Sequence, residues 1–144
     1  MAILNYTTKI TVSKTASQIQ EILGRSGASN VSVDYRNGTP VAIMFGIEIK
    51  GKPVWFRLPT NSDGVMDAMK RDRVPRGYIN EKQAARTAWR IIKVWIEAQM
   101  AIIEADVAKM EEVFLPYAVA PDGRTLFEHF EEAPGLLLQA HKKS

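Results

Sequence analysis

From Ala84 to Leu115 the chain carries an apolar stretch that reads as one helix, too long and too hydrophobic to lie on the surface of a small domain. Trp89, Ile92, Trp95, Ile96, Ile102 and Ile103 recur at helical spacing, and Ile91, Ala98, Met100, Ala101 and Ala105 widen the apolar face beyond a single stripe. The polar residues keep to one narrow line: Arg86, Arg90, Lys93, Glu97, Glu104 and Glu111. Such a helix has to be covered, either by the chain's own sheet or by a second copy. Trp89 and Trp95, six residues apart, point about 120° from each other around the axis. One can then serve the core and the other a subunit contact. The expected interface of a homodimer is Trp89, Ile92, Trp95, Ile96 and Ile103, because an exposed apolar patch above ~400 Å² usually means association.

With 144 residues, one domain with one core is expected. A hydrophobic content of 46% against 24% charged residues argues against global disorder. Cysteine is absent, which excludes disulfides and thiolate metal sites and fits the cytoplasm. Met1 to Tyr6 lacks the positive start and apolar run of a signal peptide, and charges interrupt the long helix. Neither export nor membrane insertion is expected.

The periodicities predict an α+β fold: a small antiparallel sheet (strand, helix, three-stranded meander), then a short helix and one long C-terminal helix. It is a single domain with a sheet-forming half (1–59) and a helical half (60–144). Thr7 to Val12 alternates like a first strand. A helix capped by Ser13 or Thr15 follows, with Ile19, Ile22 and Leu23 buried and Gly24 and Gly27 to end it. Val31, Val33 and Tyr35 then alternate with Ser32, Asp34 and Arg36 before Asn37-Gly38, a dipeptide favoured in two-residue hairpin turns. Val41 to Ile49 returns, and Lys50-Gly51-Lys52 turns the chain into Val54 to Leu58. Ser62 or Asp63 is expected to cap a short helix, Asn80 and Gln83 to form a capping box for the long one, and Pro116 to stop it. Thr125 with Glu128 predicts a last capped helix carrying Leu126, Phe127 and Phe130, and His141 to Ser144 are expected to fray.

Net charge is only +3, but it is unevenly spread. Lys70 to Lys93 carries eight basic and two acidic residues; Glu97 to Glu132 carries nine acids against Lys109 and Arg124. The asymmetry suggests nucleic-acid contact by the basic part, pairing of the two parts, or a solvated helix face. If Val54, Phe56 and Leu58 point to the core, Trp55 and Arg57 point the other way, beside Ser32, Arg36, Met44, Glu48 and Lys50. Aromatic and basic groups together suit single-stranded nucleic acid, because bases stack on rings while cations neutralise phosphates. The candidate contacts are Trp55, Arg57, Arg71, Arg73, Arg76, Lys82, Arg86 and Arg90. The alternative is that the long helix covers this face and Trp55 is core.

No catalytic residue, metal site or cofactor is expected. His129 and His141 have no second nitrogen or thiolate ligand nearby in sequence, and Gly24 and Gly27 close a helix rather than open a phosphate loop. The carboxylates sit at the spacings of a solvated helical face.

Asn5 to Ile10 (NYTTKI), Arg57 to Pro59 (RLP), Gln83 to Ala105, Glu112 to Tyr117 (EVFLPY) and Gly123 to Glu128 (GRTLFE) resemble a group of short proteins encoded by phages, prophages and related mobile elements. The resemblance implies a phage origin and a place among genes for DNA replication or recombination, or among those that counter host defences. It transfers no catalytic residue. The expected function is a non-enzymatic accessory protein that binds nucleic acid, with single-stranded DNA as partner. The alternative is an anti-defence protein, for example an anti-CRISPR, that binds a host immune factor or sequesters a nucleotide signal.

Overall fold

Two two-residue turns lay out the sheet. Asn37-Gly38 (φ 51° and 78°) and Lys50-Gly51 (φ 51° and 80°) adopt the left-handed backbone that a type I′ hairpin needs. They join β1 (Ser29–Arg36), β2 (Thr39–Ile49) and β3 (Lys52–Pro59) into an antiparallel sheet of order β1-β2-β3. The computed structural model, which describes residues 2–140, is α+β as expected. The expectation for His141 to Ser144 lies outside the described residues.

α1 (Val12–Arg25) precedes the sheet; α2 (Ser62–Arg71), α3 (Glu81–Glu104), α4 (Met110–Val113), α5 (Leu126–Glu132) and α6 (Gly135–Ala140) follow it. One face of the sheet carries the main core. Ile43 and Phe45 of β2 and Phe56 and Leu58 of β3 pack with Ala16, Ile19 and Leu23 of α1 and with Trp89, Ile96 and Met100 of α3. Phe45 and Phe56 are direct cross-strand partners with stacked rings 5.4 Å apart. Burying each large side chain here contributes roughly 1.5–3 kcal/mol. A smaller cluster, Val65, Met69, Val74, Ala84 and Ala88, glues α2 to α3. The long helix thus covers the Phe45/Phe56 face and leaves the opposite face open.

Several expectations are corrected. Thr7 to Val12 is not a strand: the sheet has three strands, and the segment docks on α3 instead. The Gln83 side chain, buried in α3, donates to the carbonyls of Tyr6 and Thr8 at 2.8 Å each. Asn80 caps α3 by accepting from Gln83 N at 2.8 Å, so only half of the expected capping box forms. Thr11 caps α1 and Asn61 caps α2, each a residue or more ahead of the expected positions.

The long helix ends at Glu104 rather than at Pro116. Its 24 residues reach about 36 Å at 1.5 Å per residue. The 11-residue β2 reaches about 37 Å, so a longer helix would overrun the sheet. Asp106, at φ 61°, turns the chain back. Met110 and Phe114 then return to the core, and Ala118 pairs with the outer edge of β3 at Phe56.

Candidate nucleic-acid interface

The open face of the sheet is built by strand alternation. Residues paired across a ladder point to the same side, so Trp55 shares a face with Gly46, Arg57 with Met44, and Asp34 with Ala42. Trp55 is 37% exposed. The six-membered ring of its indole lies over Gly46: a Cβ added there would stand 3.2 Å from Cζ3, 3.4 Å from Cε3 and 3.1 Å from Ser29 Oγ. A cross-strand glycine therefore seats the ring on bare backbone. Arg57 is held by Asp34, whose carboxylate accepts from Nε at 3.1 Å across the central strand.

A register shift between Asp34 and Tyr35 leaves Val41 as the extra residue in β2, so β1 alternates unbroken through Arg36, and Tyr35, paired with Pro40, keeps the side of Val33, away from Trp55. Tyr35 is 64% exposed. Alternation places it with Val33 as expected, at the end of the sheet, and Arg36, in register with Thr39, keeps the side of Asp34. Arg36 stands exposed at one end of the sheet, Lys50 and Lys52 at the other. Gly46 and Asp34 are the site residues that sequence patterning missed, because cross-strand register leaves no mark in an alternating pattern.

The eight candidate contacts do not form one patch. Trp55 and Arg57 lie on the open face, whereas the other six ride on α2, α3 and the loop between them, on the helical side. Arg71, Arg73, Arg76 and Lys82 are exposed, Arg71 with its Nε 3.8 Å from Asp72. Arg86 and Arg90 are half-buried and spent on neighbours: Arg86 donates to Gln83 Oε1 at 3.2 Å, and Arg90 donates to Gln18 Oε1 of α1 at 2.7 Å.

The expected dimer face is likewise divided. Trp89 and Ile96 are fully buried in the chain's own core, so neither is available to a second copy. Ile92, Trp95 and Ile103 are partly buried against that core. Trp95 meets Phe114 and Tyr117 edge to face, each with ring centroids 5.5 Å apart. Its partners come from the chain's own return segment.

A polar network holds the C-terminal part. Thr125 and Glu128 close a capping box on α5: Thr125 N donates to Glu128 Oε1 at 3.0 Å, and Glu128 N donates to Thr125 Oγ1 at 3.2 Å. The Thr125 amide and then its hydroxyl hold the Glu128 carboxyl below its ordinary range. The Arg124 amide, followed by His129, does the same for Asp122, and Glu132 raises the Arg124 guanidinium by accepting at 2.6 Å. His129 Nε2 lies 2.9 Å from Asp122 Oδ2. The Thr125 hydroxyl also donates to Glu128 Oε1, at 3.1 Å, so this cluster holds a helix end. Among the described residues there is no group of three His, Asp or Glu that could hold a metal ion, and no helix long and apolar enough to cross a membrane. No protein-family model, no curated protein and no solved structure matches this chain.

Proposed function

We propose that this protein is a non-enzymatic accessory protein that binds single-stranded nucleic acid on the open face of its sheet, in the phage replication or recombination setting that its resemblance implies. The observation that carries this reading is the Trp55 indole, seated over Gly46 with its other side open to solvent. Bases stack on such rings at roughly 1–3 kcal/mol each without regard to sequence. On the same face Arg57 offers a guanidinium fixed by Asp34. The exposed Arg71, Arg73, Arg76 and Lys82 add attraction that falls steeply with salt.

Fluorescence anisotropy of a labelled oligothymidylate at low and moderate salt tests this. Trp55→Ala should weaken binding by about 5- to 150-fold, the equivalent of one lost stacking contact. Arg73→Ala with Arg76→Ala should weaken it less and flatten its salt dependence. Absence of binding at low salt, or a Trp55→Ala variant that binds as well as the wild type, sinks the reading. The anti-defence alternative, direct binding of a host immune factor, is favoured by a different feature, the exposed apolar groove beside α5.

A further inference from the structure

The last two helices turn apolar residues outward. α5 buries none of its residues, although Leu126, Phe127 and Phe130 make one side of it wholly apolar. With Leu115 and Pro116 of the preceding 3-10 turn and Leu137 of α6 they line a groove of about 360 Å³. Leu115 is 52%, Phe127 48% and Leu137 58% exposed. At 150–250 Å² per aromatic side chain and somewhat less per leucine, the uncovered apolar surface is on the order of 500 Å², at the upper end for a monomer.

The groove is held in shape rather than loosely collapsed. Its floor is tied to the sheet through Leu126 N, which donates to the carbonyl of Ala118 at 2.9 Å, and Ala118 is buried against β3. The Thr125 and Glu128 capping box fixes the start of α5. The Phe127 and Phe130 rings stand 6.4 Å apart along it.

Charge decides what fits. Between Met110 and Glu132 the chain has six acids, Glu111, Glu112, Asp122, Glu128, Glu131 and Glu132, against Arg124 as the one lysine or arginine. Glu131 follows Phe130 on α5 and has no ion-pair partner among the described residues. A second copy docked by two-fold symmetry would bring these acids against their own likes. A cationic partner is favoured instead. We infer that this groove docks a basic amphipathic helix of another protein, with its apolar side against Phe127 and Phe130 and its lysines or arginines against Glu131 and the other acids of this segment. This inference does not depend on the nucleic-acid reading, which rests on the open face of the sheet, although Arg57 and Phe127 border one cavity of about 250 Å³.

The test uses the full chain and a labelled synthetic helix of about 18 residues, with leucines at positions i, i+3, i+4 and i+7 and lysines flanking them. A second peptide replaces the lysines with glutamates. The lysine peptide should bind in the micromolar range and the glutamate peptide at least about tenfold more weakly. Phe127→Ser with Phe130→Ser should abolish binding at unchanged helix content. Glu131→Lys leaves the apolar surface intact, and it should narrow the preference for the lysine peptide several-fold. Equal binding of the two peptides, or no binding at about 100 µM, overturns the inference. So does a concentration-dependent dimer in sedimentation equilibrium that the Phe127→Ser, Phe130→Ser variant dissolves, which would give the groove to a second copy.

Discussion

Trp55 and Gly46 face each other across the β2–β3 ladder, and the indole fills the space that any side chain at position 46 would need. Valine is ordinarily a better strand residue than glycine. Here its Cβ would meet the Trp55 ring and Ser29 Oγ at distances that real contacts seldom show. Gly46→Val should therefore lower stability by about 1–3 kcal/mol in urea denaturation and make a tryptophan more accessible to acrylamide quenching. A gain in stability would mean that the ring swings aside freely.

Gln83 joins the N-terminal segment to α3 and is 6% exposed. Its amide is the donor to both the Tyr6 and Thr8 carbonyls. Gln83→Ala would leave these acceptors without their partner, at about 1–3 kcal/mol. Gln83→Glu keeps the shape but cannot donate when ionised, so it should destabilise at least as much at neutral pH. Hydrogen exchange should show lost protection around Thr8 and Ile10 in both variants. A Glu variant as stable as the wild type would refute this role.

Trp95→Ala separates two accounts of the long helix. Trp95 packs on Phe114 and Tyr117, so its truncation should loosen the return segment and cost about 2–4 kcal/mol in thermal or urea unfolding, somewhat under the range for a fully buried tryptophan. If Trp95 instead served a subunit contact, the variant would alter sedimentation and leave unfolding nearly unchanged. Trp89→Ala, in the centre of the core with its indole N–H 3.4 Å from the Pro40 carbonyl, should be the more damaging of the two.

What could be read from the sequence is what short-range chemistry determines. Asn37-Gly38, the turn after Ile49, the alternation of β2 and β3 and the Thr125/Glu128 cap all depend on residues a few positions apart. The outward placing of Trp55 followed from that alternation. The failures have long-range causes. Thr7 to Val12 has a strand pattern but finds its partner in Gln83, 75 to 77 positions away. The apolar run to Leu115 is periodic throughout, yet the length of the sheet and the return of Phe114 to the core break it after Glu104. The arginines of the candidate interface are close in sequence, which suggests one basic surface. The sheet stands between them and Trp55, and Arg86 and Arg90 are taken by Gln83 and Gln18.

Acid should weaken α5 selectively. Hydrogen bonds from Thr125 hold the Glu128 carboxyl low, and the Arg124 amide with His129 holds Asp122 low. A group whose folded pKa is depressed contributes stability that is present above its unfolded pKa and is lost as pH falls through the folded one. The loss should therefore begin near the ordinary carboxylate range, about pH 4, and deepen below it. Amide exchange in Leu126 to Glu132, compared with that of α3, is the direct measurement. Glu128→Gln supplies the control, since glutamine can still accept from the Thr125 amide but does not titrate. It should flatten the pH dependence of α5 while leaving the helix formed at neutral pH. An unchanged acid sensitivity in that variant would assign the effect to Asp122 and its Arg124 and His129 contacts.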